Sequence, residues 1–124
     1  MELPKNLGNN YVIRLSTIYS ILYNNKYGIK PRINYGLTGK MFKDLIDDYT
    51  EYQIAYLLIV FFEWKGANGD DDSAKKWLEG KTHGIFLFNN ELINSMRVYI
   101  QNVLKVDFDN EDGIKTIVNN LINN

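Results

Sequence analysis

Nothing constrains the fold of this chain more than "TEYQIAYLLIVFFEW", residues Thr50 to Trp64. Thr50 and Gln53 have the spacing of a capping box, in which the threonine oxygen and the glutamine side chain reciprocally satisfy amide donors at a helix start. A helix is predicted to begin there. Its body is apolar almost all round, which places it at the centre of a core that the rest of the chain must supply. A strand over Leu57 to Phe62 is the competing reading, since short apolar runs look alike in both states. The cap and the length favour helix.

The flanking segments have the faces needed to cover such a rod. Val12, Leu15, Ile18, Tyr19, Leu22 and Tyr23 recur at helical spacing and predict a first helix ending near Asn24 and Asn25. Met41, Phe42, Leu45, Ile46 and Tyr49 mark a short second helix. In "KGANGDDD" either Asp71 or Asp72 can cap a short helix through Trp77 and Leu78, closed at Gly80, and "THGIFLFNN" reads as extended. Leu92, Ile93, Met96, Tyr99, Ile100, Val103 and Leu104 form another apolar stripe, and Ile114, Ile117, Val118, Leu121 and Ile122 a last one. There is no internal repeat and no linker long enough to separate domains. The expected fold is mainly α: residues 1–124 as one compact bundle of about five or six helices.

With 45% apolar and 14% aromatic residues, a chain of 124 residues can bury a core without a covalent or metal staple. It has no cysteine, which excludes disulfides, thiolate catalysis and thiolate zinc sites. "MELPKNLGNN" lacks the pattern of a secretory signal, and the run Ile54 to Phe62 is about half of the ~20 residues a membrane span needs, so no membrane association is expected. The net charge of −1 conceals an asymmetry. Up to Ile46 there are 7 basic and 2 acidic residues, and from Asp47 onward 7 basic and 13 acidic. Such a dipolar chain can turn its first third toward a phosphate backbone, or match a partner with its own basic patch.

"NKYGIKPRINYGLTGK", Asn25 to Lys40, holds most of that basic charge. Its GLTGK is too short for a phosphate-wrapping P-loop, Met41 stands where the metal-binding hydroxyl belongs, and no buried strand precedes it. Instead, Gly36 and Gly39 are expected at positive φ in a connector, with Thr38 capping the second helix and Lys40 in its first turn. Lys26, Lys30, Arg32, Tyr35, Lys40 and Lys43, with Tyr27, interleave positive charge and planar rings, a composition suited to phosphate contact and base stacking. Tyr27 and Tyr35 serve equally well as core plugs that fix the connector.

A second candidate surface, for a protein partner, is acidic and aromatic: Trp64, Asp70, Asp71, Asp72 and Trp77. The same two tryptophans can also close the edge of the core. Asn68, Asp70, Asp72 and Glu79 fall at calcium-loop positions, but Ser73 replaces the turn glycine and Lys75 the apolar pin, so an acidic helix start is the expected reading. His83, the one histidine, can build neither a multi-histidine metal site nor a credible triad and is expected at the surface or in a loop. The pairs Asp47/Asp48 and Asp107/Asp109 have no evident cleft. No enzyme activity, cofactor or metal is expected.

The run "KYGIKPRINYGLTGKMFKDLIDDYTEYQIAYLLIVFF" resembles small bacteriophage-encoded proteins and the carboxy-terminal modules of some phage replication proteins. The resemblance covers about the first half of the chain. It implies a setting, the cytoplasm of a bacterial host, and no catalytic residue. It points to an accessory protein of replication or transcription that binds nucleic acid, or a phage or host replisome or polymerase component, through the basic connector. The alternative is an inhibitor that binds a host enzyme or defence protein through the acidic and aromatic surface.

Overall fold

The computed structural model describes residues 11–64, 83–85 and 88–123. The described residues are mainly α-helical, with five α-helices and no strand. They are α1 (Tyr11–Tyr27), α2 (Tyr35–Leu45), α3 (Glu51–Glu63), α4 (Asn90–Tyr99), which runs on into a π-helical turn (Ile100–Leu104), and α5 (Glu111–Asn123). The predicted short helix through Trp77 and the calcium-like spacing lie outside the described residues.

The capping box forms as expected. Gln53 N–H donates to Thr50 Oγ1 at 3.1 Å, and Thr50 N–H donates to Gln53 Oε1 at 2.9 Å. The other end of the Gln53 amide is also occupied, since Nε2 donates to the Phe108 carbonyl at 3.0 Å and ties the start of α3 to the approach to α5. The segment is α-helical from Glu51 through Glu63, which excludes the strand alternative, and eleven of its thirteen residues are buried, which confirms the central position. α1 and α5 make the broadest contacts with α3, α4 packs on it as well, and α2 leans on α1. Leu15 and Ile18 from α1, Phe42 from α2, Ile93 and Met96 from α4 and Ile114 and Val118 from α5 close the core. Each such side chain contributes about 1.5–3 kcal/mol by leaving water.

Helix ends follow local chemistry. α1 passes the expected stop at Asn24 and Asn25 and ends at Tyr27, because Gly28, at φ 75°, supplies the left-handed residue that closes a helix and donates its N–H to the Asn24 carbonyl at 2.7 Å. α2 departs further from expectation. It starts at Tyr35, since Asn34 Oδ1 accepts from Leu37 N–H at 3.2 Å and makes Asn34, not Thr38, the cap. Gly36 and Gly39 therefore lie inside the helix and not at positive φ. Ile46 to Tyr49, expected as the end of that helix, form a turn instead. The described part of "THGIFLFNN" is not an extended strand: Phe88 N–H donates to the carbonyl of Ile85, three residues earlier, at 3.0 Å.

Candidate nucleic-acid interface

The connector between α1 and α2 is held from both sides. Gly28 ends one helix, Asn34 starts the next, and Pro31 restricts the backbone between them. This frame leaves Lys30, Arg32, Lys40 and Lys43 exposed, together with Ile29 and Leu37. Tyr35, the first residue of α2, is 63% exposed.

Tyr35 lines two grooves. One, of about 440 Å³, is also lined by Ser16, Ser20, Asn24, Lys30 and Ile33. The other, of about 450 Å³, is lined by Val12, Ile13, Gly36, Gly39, Lys40 and Lys43. A planar ring is thus shared by two recesses, each with at least one ammonium group. No acidic residue occupies the first turn of α2, so its positive dipole end adds to the potential of the lysines. The arrangement can accept an anionic strand and offers a ring face to one of its bases.

The remaining predicted residues divide differently. Lys26 is exposed along its stem, but its ammonium donates to the Phe62 carbonyl at 3.3 Å and so occupies the negative end of α3. Tyr27 is a plug: its hydroxyl hydrogen-bonds His83 Nδ1 and accepts from His83 N–H at 3.1 Å. The two tyrosines of the connector thereby take opposite roles. Trp64 is buried at the end of α3, at the edge of the core, which is the packing role read for it beside the partner-binding one. Asp70, Asp71, Asp72 and Trp77 lie outside the described residues.

His83 lies outside the helices, as a loop position requires, but it is 4% exposed and belongs to the core, which corrects the expectation of a surface position. Its ring stacks on Phe62 at a centroid distance of 5.0 Å and meets Phe61 edge-on at 5.0 Å, while its carbonyl accepts from Tyr19 Oη at 2.6 Å. Burial, helped by the positive charge of Lys26 and opposed by a Phe61 backbone hydrogen bond, pushes the imidazole pKa down to about 4. The aromatic setting similarly raises the Tyr19 and Tyr27 hydroxyls, chiefly by desolvation. These residues converge from distant parts of the chain, and no local sequence signal marks the convergence.

An ion pair outside the predicted set has the same character. Arg14 on α1 reaches Glu51 in the first turn of α3, with Nη2 to Oε1 at 2.5 Å and Nε to Oε2 at 3.0 Å. Side-chain exposures of 9% and 5% place the pair largely out of water. The hydrogen bond to Glu51 raises the Arg14 pKa against the opposing effect of burial. Arg14 is therefore not one of the cations offered to a ligand, although it contributes to the basic count of the first third.

Among the described residues no group of three histidine, aspartate or glutamate side chains could hold a metal ion, and no helix is long and apolar enough to cross a membrane. No family model, curated protein or solved structure matches the chain.

Proposed function

We propose that this chain is a non-enzymatic accessory protein of phage replication or transcription, acting in the cytoplasm of a bacterial host and contacting nucleic acid through the face formed by Lys30, Arg32, Tyr35, Lys40 and Lys43. One observation carries the reading: an exposed tyrosine at the positive end of a helix is shared by two recesses lined by lysines. Ring stacking favours unpaired bases, and the acidic remainder of the chain disfavours wrapping a duplex.

The test is titration of fluorescent single-stranded and duplex DNA across a series of salt concentrations. Binding is expected at low salt, tighter for the single strand and falling as salt rises. Replacing Lys30, Arg32 and Lys40 together by alanine should reduce the log–log salt slope by roughly two, since each phosphate left unneutralised on a single strand lowers it by ~0.7. Absence of binding to either DNA at low salt removes the proposal.

A further inference from the structure

α2 lines a third groove toward its opposite end, shared with Ile85, Phe88 and the start of α4. We infer that this groove binds a small organic cation with an apolar body, an amphiphilic amine. Its volume of about 430 Å³ falls in the range of small-molecule sites, ~300–1,000 Å³. Met41, Leu45, Ile85 and Phe88 supply apolar lining.

Two exposed carboxylates, Asp44 and Asp48, line the same groove. Asp44 is in the last turn of α2 and Asp48 just beyond its end, where Asp48 N–H donates to the Leu45 carbonyl at 3.0 Å. Negative charge at the C-terminal end of a helix opposes the dipole. Among the described residues neither carboxylate has a cationic partner. An ammonium group bound in the groove would relieve that conflict with the dipole.

A third observation is independent of charge. Thr38 also lines this groove, is 2% exposed, and its hydroxyl has no hydrogen-bond partner. A buried hydroxyl left unsatisfied is costly, and an ammonium donor supplies what Oγ1 lacks. Apolar lining, paired carboxylates and an unsatisfied acceptor together define a cationic head on a hydrocarbon or aromatic stem. The inference does not rest on the nucleic-acid reading, since it uses the acidic end of α2 and none of the lysines.

Two probes with similar aromatic bodies and opposite charge decide it, 2-phenylethylamine and 3-phenylpropanoate, titrated into the full chain and followed by methyl and amide NMR. The amine should cause saturable shifts at Met41, Leu45 and Ile85, and the carboxylate should not. The exposed double substitution Asp44→Asn/Asp48→Asn should weaken amine binding by about tenfold or more while leaving the free protein folded. Thr38→Val, which keeps the side-chain shape, should weaken it further. Equal responses to the two probes, no saturation by the amine at its solubility limit, or unchanged affinity in the double variant would overturn the inference. So would a response confined to lysine-containing peptides, which would make the groove a protein-docking surface.

Discussion

Arg14 and Glu51 are joined side-on, with two nitrogens of one guanidinium meeting both oxygens of one carboxylate across the α1–α3 packing. Glu51 at the same time complements the positive end of α3. Removing Arg14 leaves the Glu51 carboxylate, 5% exposed, without its guanidinium, so Arg14→Ala should cost about 3–5 kcal/mol, and Glu51→Ala should destabilise by less. The double replacement Arg14→Met/Glu51→Leu should recover most of the loss. Denaturant midpoints of the three variants check this, and a double variant no more stable than either single one would contradict it.

The pH dependence of stability should carry the signature of His83. Tyr27 Oη is placed to donate to Nδ1, which suits the neutral ring, and burial holds the folded pKa at about 4 against an ordinary value of 6.5. Between those values the unfolded chain binds more protons than the folded one, so stability falls as pH falls through this window and is fully present above it. Lowering pH from about 7.5 to about 5 should remove about 2 kcal/mol. With one histidine and no cysteine, the chain has no other side chain that ordinarily titrates there. Urea unfolding at successive pH values measures the slope, and NMR should show the imidazole still neutral near pH 5.

Tyr35 and Tyr27 should separate binding from stability. Tyr35→Ala removes an exposed ring, changes stability by no more than about 0.5 kcal/mol, and should weaken single-stranded DNA binding by about 1–3 kcal/mol. Tyr27→Phe should have the reverse profile. It leaves His83 Nδ1 and His83 N–H without their partner, lowers stability by about 1–3 kcal/mol, and leaves DNA affinity unchanged.

The glycines of the connector and α2 should respond with opposite signs. A Cβ on Gly39 would meet Val12 Cγ1 at 3.5 Å, an ordinary contact, so Gly39→Ala should stabilise α2 by about 0.5–1 kcal/mol. At Gly28, where φ is 75°, alanine has open space but the wrong backbone preference and should destabilise by about 1 kcal/mol. Thermal unfolding of the two variants distinguishes them directly.

What the sequence made legible follows the range of the interactions. The Thr50–Gln53 box and the apolar body behind it act over adjacent turns, and they located α3 and its place in the core. Apolar periodicity likewise located α1, α4 and α5. The start of α2 was obscured because Gly36 and Gly39 read as turn residues, while the weaker-looking Asn34 made the cap. The π-helical turn after Tyr99 preserves an apolar pattern close to that of an α-helix, so periodicity did not distinguish the two. Arg14 lies 37 positions from Glu51, and Tyr27 lies 56 from His83. Pairings at that distance arise only once α1 lies against α3. At the candidate interface, composition singled out the lysines and Tyr35, but only the folded arrangement assigns Lys26 to the end of α3 and Tyr27 to His83.

The burial of α3 on nearly every side also governs how the protein comes apart. A thirteen-residue helix is a rod about 20 Å long, and here it has almost no face of its own to show to water. Detaching α1 or α5 would uncover it, so peripheral helices cannot peel away cheaply while the centre persists. Amide protons of α3 should therefore exchange with solvent only in openings that approach complete unfolding, and fragments lacking either flank should precipitate or be degraded instead of persisting as smaller folded units.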